Sequence, residues 1–421
     1  MHKQIKTLLF FTLFSGQFIW IHSVTSSTIR GTINTIMTGH HDPRFGDIVS
    51  SIPIYEILSM EITDLNIPGS DSARLVLNGY SRLQLGEERA FRTNNADLSI
   101  FYIETQKKSL SLRLGRQHIS TGVGRMRMVD GLSIRSHLAY GIIAELYSGA
   151  TVHPWLYHRV DNHISGARVS VRPSMNGELG LSYMQIRQRG AKREEFVGSD
   201  LYYSLGKNRL YAKANFNPSD QAFSEGRIAL ITHLPHHIHL TIDASRTSPE
   251  LFLNENSIFS VFSNSEKDSF GGDIEWQPSP YYLLSLEGRG LIMEQAVLGY
   301  SVKMKAVTYR EASKKSRIGI EGKIHREHDE GYISSRALAI LQIQPQLRVM
   351  GDLYLYKFAH EINDVSNSIL GQISAVYDIS KNIRIASTVS GGVTPYASQQ
   401  IEAMFRFAYG YDVDLSREVG P

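Results

Sequence analysis

The sequence predicts an all-β chain that forms one large antiparallel transmembrane β-barrel of about 22 strands, with roughly 18 to 22 as the expected range. Three observations lead to this fold class. Apolar and polar residues alternate at period two along almost the whole chain, the links between these segments alternate between short and long, and no window after the first thirty residues is apolar enough for a membrane helix.

Composition excludes several other classes. The 421 residues include no cysteine, which excludes disulfide scaffolds, zinc–thiolate sites and attached c-type haem. The formal charge is only +3 and no basic block stands out, so nucleic acid is not an expected partner. Tyrosine is plentiful at 21 residues, which suits a sheet protein with amphipathic rings near an interface.

The first residues form a targeting segment. Two lysines in 1–6 precede an apolar run over 8–21, and small residues follow at 24–27. This order is typical of a secretory signal peptide, and the apolar run is shorter than the roughly 20 residues that span a bilayer. We predict a signal peptide over 1–26, a barrel over 27–412 and a C-terminal tail over 413–421. Because the first strand follows directly, we expect no plug domain.

Each strand is predicted from its own alternation. Leu75, Leu77 and Leu83 share one face, and Arg74 and Arg82 share the other. The pattern recurs to the end of the chain without a stretch of helical period. The predicted strands lie near 28–38, 52–65, 72–85, 96–105, 109–116, 131–136, 141–148, 164–172, 177–187, 198–205, 208–216, 224–233, 237–246, 268–277, 281–289, 295–309, 316–325, 331–343, 346–358, 366–378, 381–391 and 399–411.

The links predict where the two barrel edges lie. Short links such as 206–208 and 345–346 fall between longer polar ones such as 86–95 and 247–268. Outer-membrane barrels are built this way, with short periplasmic turns and longer extracellular loops, and their even strand number keeps both termini periplasmic. The soluble alternative is a secreted β-sandwich, solenoid or propeller, but the chain has no repeat of fixed length.

The polar faces of the strands should line the lumen, where Lys and Arg slightly outnumber Asp and Glu. Because rings of fixed charge bias ion entry, a weak anion preference is one expectation, and reversing Arg113 or Arg168 to Glu should then shift the preference toward cations. The alternative is that these charges pair across neighbouring strands and select nothing. The predicted pore-lining residues are Arg74, Arg82, Arg113, Arg168, Arg172, Arg209, Lys213, Asp243, Glu275 and Arg348.

Short motifs add a family resemblance. The run 112–117, which ends Gly-Arg-Gln, is followed by Gly122, Arg125 and an Asp-Gly at 130–131. It resembles porin-like outer-membrane β-barrel proteins of Gram-negative bacteria, as does the apolar run within 251–262. Such barrels often end on a terminal Phe, whereas here 413–421 follows the last strand. The resemblance implies passive diffusion of small hydrophilic solutes through an outer-membrane channel.

Two loops are predicted to narrow this channel. Loop 247–268 carries too many apolar side chains for a solvated loop, so it should either fold into the pore or dock a protein partner. The other loop follows the Gly-Arg-Gln run. The predicted constriction residues are Arg116, Arg125, Arg127, Asp130, Phe252, Phe259 and Phe262.

Two further functions stay open. One is a non-conducting barrel that acts as a scaffold for a periplasmic or surface partner. The other is a lipid hydrolase, because His118-Ile119-Ser120-Thr121-Gly122 is similar to a stretch of outer-membrane phospholipase A and places His and Ser on one strand face. We predict that the chain is not an enzyme and needs no cofactor or metal. Its expected partners are outer-membrane lipid and small solutes, while the solute and the oligomeric state stay open.

Histidines offer a possible metal site only in turns. His233, His236, His237 and His239 surround one turn, and His325 and His328 border a loop. Imidazole nitrogens can bind divalent metals, but polar turn chemistry is the simpler interpretation.

Overall fold

The computed structural model describes residues 27–42, 49–86, 94–119, 121–124, 127–152, 159–188, 194–248, 266–293, 297–327, 330–395 and 397–414. Within these ranges, 22 antiparallel strands form a single sheet in which β22 pairs with β1, so the sheet is closed. The strands are β1 (Thr28–Asp42), β2 (Val49–Thr63), β3 (Ser72–Gly86), β4 (Asn94–Lys107), β5 (Leu110–Ile119), β6 (Arg127–His137), β7 (Ile142–Val152), β8 (Arg159–Ser174), β9 (Gly177–Gln188), β10 (Glu194–Leu205), β11 (Asn208–Asn217), β12 (Ala222–Leu234), β13 (Ile238–Thr247), β14 (Lys267–Ser279), β15 (Tyr282–Met293), β16 (Val297–Tyr309), β17 (Arg317–Glu327), β18 (Glu330–Gln342), β19 (Leu347–Ile362), β20 (Val365–Asp378), β21 (Ile383–Thr394) and β22 (Ala397–Asp414).

Each predicted strand overlaps one observed strand, so the all-β antiparallel barrel is confirmed. Several strands extend further than the alternation predicts. For example, β8 begins at Arg159 and β19 runs to Ile362. Ladder hydrogen bonds continue past the apolar belt, where a strand no longer needs one apolar face. At the other edge, β22 continues to Asp414, and Val413 pairs with Ile29.

The link lengths alternate less regularly than the sequence predicts. Asn363 and Asp364 alone join β19 to β20 at the loop-bearing edge. At the edge that holds Thr28 and Asp414, the links 64–71 and 310–316 are longer than tight turns. The strand extensions explain the first difference, since they shorten loops that the sequence shows as long polar stretches.

The two faces of the sheet differ in chemistry. Outward side chains are large and apolar, and neighbouring residues leave them exposed, as in Leu181 (64 %), Ile320 (64 %) and Ile373 (67 %). A closed sheet leaves no unpaired edge, and an apolar outer belt of this kind is matched by lipid. The chain is therefore a membrane-spanning barrel.

The lumen of this barrel is wide. Strands about 4.8 Å apart and tilted by roughly 40° give a ring of 22 strands a backbone diameter of about 44 Å. In the part of the chain that the structure describes, no separate domain fills this space, and a 3₁₀ turn at Gly122–Gly124 enters it. No helix in these same ranges is long and apolar enough to cross a membrane.

Candidate functional site: the barrel lumen

The inner wall of β2 to β5 carries a chain of ion pairs. Arg74 contacts Glu104 at 2.6 Å and Glu61 at 2.9 Å. Arg113 contacts the same Glu104 at 3.1 Å and lies 5.3 Å from the ring centre of Tyr102. These side chains come from alternate positions of neighbouring strands, so the register brings opposite charges together across the wall.

Arg168 on β8 is the centre of the densest charge network. Its side chain is 7 % exposed. Its Nη2 donates to Asp200 Oδ1 at 2.5 Å and to Glu178 Oε1 at 2.8 Å. Glu178 also accepts a hydrogen bond from Arg172 Nε at 2.7 Å, and Glu145 lies 4.0 Å from Arg168. The network joins β7 to β10 and keeps the Arg168 charge away from the open lumen.

Inward-facing glycines make room for this network. A Cβ on Gly180 would lie 2.4 Å from Asp200 Oδ2 and 2.6 Å from Arg168 Nη2. A Cβ on Gly166 would lie 2.3 Å from the Tyr147 ring. The long side chains of neighbouring strands therefore lie flat across glycine positions.

A row of three glycines bends β5, β6 and β7. Gly115 pairs with Gly131, which pairs with Gly149. A Cβ at each would meet neighbouring backbone at 2.1 to 2.4 Å. Gln117 Nε2 donates to Arg113 O at 3.4 Å. In a straight strand, two residues four positions apart are separated by about 13 Å, which is further than a glutamine side chain reaches. The wall therefore bends sharply at this row, as glycines in strands allow.

The bend carries the β5–β6 link into the lumen. The turn Gly122–Gly124 packs against β9 and β10. The Val123 N–H donates to Ser182 Oγ at 3.1 Å, and its Cγ1 lies 2.4 Å from where a Cβ of Gly198 would stand. A glycine notch and a serine acceptor on the inner wall thus hold the turn in place.

Residues beside the turn complete this docking. Thr121 Oγ1 donates to Glu145 Oε2 at 2.5 Å. A Cβ on Gly122 would lie 3.4 Å from Arg168 Cδ, so the link covers the buried arginine. Val123 of the link packs against an apolar cluster on the inner side of the wall. The cluster consists of Ile119, Val129, Tyr147, Ile164, Met184, Ile186 and Phe196.

The predicted constriction residues are dispersed. Arg127 follows the link at the start of β6 and faces inward with Ile119. Arg116 and Asp130 pair at 2.7 Å, but they occupy the strand parity opposite to Arg113, on the outward side of the wall. The other four predicted constriction residues lie outside the described residues, and these are Arg125, Phe252, Phe259 and Phe262.

The remaining predicted pore-lining residues share the inward parity. Asp243 accepts two hydrogen bonds from Arg289, both at 2.9 Å. Lys213 pairs with Glu225 on β12. Arg82 lies 5.6 Å from the ring centre of Tyr55. Among the described residues, three predicted pore-lining side chains form no ion pair, and these are Arg209, Glu275 and Arg348.

A second inner-wall feature was not predicted from the sequence. Tyr354, Tyr356 and Phe358 stand on alternate residues of β19, with ring centres 6.4 and 6.3 Å apart and planes within 9°. Tyr332 on β18 lies 5.8 Å from Tyr356, and His325 on β17 lies 5.3 Å from Tyr332. We call these five residues the aromatic ladder. The sequence does contain one sign of this feature: Tyr354, Tyr356 and Phe358 occupy positions of β19 that share the face of its polar residues.

Charged side chains flank the aromatic ladder. Arg336 lies 4.9 Å from the ring centre of Tyr354 and contacts Asp352 at 2.5 Å. Lys323 Nζ donates to Tyr332 Oη at 2.9 Å. Since β19 lies half-way round the ring from β8, the aromatic ladder faces the wall on which the β5–β6 link docks.

The catalytic and metal alternatives lack an assembled site in the described residues. His118 shares the outward parity of Leu114, and Ser120 lies outside the described residues. His233 and His239 have ring centres 4.2 Å apart. In the part of the chain that the structure describes, no three side chains of the metal-binding types are grouped to hold an ion.

The sequence matches no protein-family model and no curated protein. Solved structures match its fold over most of the chain. The siderophore receptor PirA from Pseudomonas aeruginosa is 10 % identical, with a TM-score of 0.57, over 90 % of this chain and 80 % of the receptor. The translocation pore of the P pilus usher PapC is 9 % identical, with a TM-score of 0.51, over 92 % of this chain and 100 % of the usher pore.

The fold is that of an outer-membrane β-barrel. A BenF-like porin from Pseudomonas fluorescens Pf-5 also matches at 9 % identity, with a TM-score of 0.43, over 92 % of this chain and 99 % of the porin. The closed sheet and its outward apolar belt agree with this fold. The large β-barrel fold predicted from the sequence is therefore confirmed.

Proposed function

We propose that this outer-membrane barrel is a channel for passive diffusion of small hydrophilic solutes. The observation that supports it best is a wide barrel whose inner face is polar and charged. Among the described residues, one docked link enters its lumen. Water and polar solutes are stable against such a face, whereas lipid is not. The β5–β6 link narrows the lumen from the side of β7 to β10.

Liposome swelling tests this function. Purified, folded barrel in vesicles should let small sugars enter at rates that fall with solute size, because the docked link limits the cross-section. Vesicles without protein supply the control. Vesicles that hold folded barrel and do not swell would instead favour the non-conducting scaffold.

A weak anion preference is a finer proposal within this function. Most inner-wall cations contact a carboxylate, which cancels their long-range field. Arg227 and Lys305 face inward without an ion pair among the described residues, as does Arg209. These unpaired cations, rather than buried Arg168, should bias ion entry.

Reversal potentials in a salt gradient test the preference. Arg227→Glu should shift the reversal potential toward cation preference, while Arg384→Glu, whose side chain is paired to Asp378 at 2.5 Å, should shift it less. Equal shifts from both variants would mean that the pairing of a cation does not decide its effect.

A further inference from the structure

We propose that the aromatic ladder and its flanking charges form a binding track for a neutral oligosaccharide. This inference rests on the channel function proposed above and names its solute. It is carried by the juxtaposition of three evenly spaced rings, phenolic hydroxyls, the Arg336–Asp352 ion pair and Lys323 on the inner wall of β17 to β19.

The rings supply an extended apolar surface inside a polar lumen. Tyr354, Tyr356 and Phe358 are half-buried, so part of each ring stays open to the lumen. Their centres follow β19 in steps of 6.4 and 6.3 Å, and Tyr332 widens the surface toward β18. A single small ring would occupy one step, whereas a chain of linked sugar rings could contact several steps at once.

The rings also carry polar groups where a sugar needs them. Tyrosine joins an apolar ring to a hydroxyl that donates and accepts hydrogen bonds. The C–H faces of a pyranose can pack on such rings while its hydroxyls reach the phenols. Beside the rings, Arg336 donates from a guanidinium that Asp352 holds in place, and Lys323 keeps further donors after its bond to Tyr332.

The pairing of the charges beside the rings favours a neutral solute over an anion. Glu321 and Lys323 face the lumen on β17, Arg336 and Asp352 face it beside them, and Lys305 on β16 lies opposite Glu321. Arg336 contacts Asp352 at 2.5 Å and is not free to neutralise a carboxylate. Paired charges offer hydrogen bonds without a net field, which suits a ligand rich in hydroxyls.

The opposite wall strengthens the assignment. The docked β5–β6 link narrows the lumen from the side of β7 to β10, half-way round the ring from the aromatic ladder. The link therefore leaves open the side of the lumen that the ladder lines. Contact of a solute with the rings would lengthen its stay there relative to free diffusion.

Titration of maltohexaose into a planar bilayer that contains the protein tests the proposal. Wild-type channels should show transient current blocks whose frequency rises with sugar concentration. Tyr356→Ala removes the middle ring and should weaken the apparent affinity about fivefold, since one aromatic contact is worth on the order of 1 kcal/mol. Tyr202→Ala serves as the control, because Tyr202 is an inward-facing ring on the distant strand β10.

Two results would overturn the track. Equal block by wild type, Tyr356→Ala and Tyr202→Ala would show that the ladder does not contact sugar. Block by benzoate without block by maltohexaose would assign the rings to aromatic anions. Tyr356→Phe keeps the ring and should retain most of the affinity, which separates contact from misfolding.

Calorimetry on the detergent-purified barrel separates this proposal from the channel function. Maltohexaose binding that is lost in Tyr356→Ala would support the track even if no current were measured. Conductance without sugar binding would overturn the track and leave the channel intact.

Discussion

Arg168 shows how the surroundings of one residue decide whether its charge reaches a passing ion. Its side chain is 7 % exposed and contacts Asp200 and Glu178, beneath the docked β5–β6 link. The sequence places it at the correct parity on β8, but the sequence cannot show that the link covers it. We therefore propose that the selectivity role expected for Arg168 belongs to unpaired cations such as Arg227.

Replacing Arg168 should measurably destabilise the barrel. Arg168→Met keeps much of the side-chain volume but leaves Asp200 without its cation and Glu178 with Arg172 alone, and breaking a buried pair costs about 3–5 kcal/mol. Urea unfolding in lipid vesicles, followed by tryptophan fluorescence, measures the free energy of unfolding. Arg384→Met is the matched control, because its pair with Asp378 is 55 % and 40 % exposed and should contribute about 0–1 kcal/mol. A similar loss of unfolding free energy in both variants would contradict the central role of Arg168 in its ion-pair network.

At the scale of the strand, the assignment of faces follows from alternation and is open to direct test. Leu286 near the centre of β15 faces outward and is 45 % exposed, while its neighbour Ser285 faces inward opposite Lys305. Leu286→Arg should cost about 2–4 kcal/mol, because it places a charge in the bilayer midplane. Ser285→Arg should change the unfolding free energy little. The reverse order of the two costs would show that the faces have been exchanged.

The strands were predictable from the sequence, and several features that shape the lumen were not. Period-two alternation locates every strand because each has one face in lipid. The bend at Gly115, Gly131 and Gly149 depends on three residues that are adjacent only after β5, β6 and β7 pair. The docking of Val123 in the notch at Gly198 depends on residues far apart in the chain. A single strand's pattern carries no information on such contacts.

The aromatic ladder was predictable in part. Tyr354, Tyr356 and Phe358 stand at the polar parity of β19, where aromatic residues are out of place for a lumen lined by charge. The contribution of Tyr332 and His325 depends on the register between strands. Register follows from pairing rather than from the sequence of one strand.

At the scale of the whole molecule, the orientation in the membrane is testable with single cysteines, since the chain has none of its own. Asn363 lies at the loop-bearing edge, and Lys381 lies at the edge that holds Asp414. Outer-membrane barrels keep their termini periplasmic, so Asn363→Cys should react with an impermeant maleimide on intact cells. Lys381→Cys should react only after permeabilisation. Labelling of Lys381→Cys alone on intact cells would invert the topology.

Single-channel conductance in planar bilayers tests the central claim of a polar channel narrowed by the docked link. Wild-type protein should give discrete, stable current steps. Gly198→Leu should give larger steps, because its side chain fills the notch that receives Val123 and displaces the turn from the wall. Gly226→Leu on β12 is the matched control, since a Cβ there meets nothing within 4 Å, and its steps should equal those of wild type. Folded wild-type barrel that gives no steps, or Gly198→Leu steps no larger than wild type, would contradict the account.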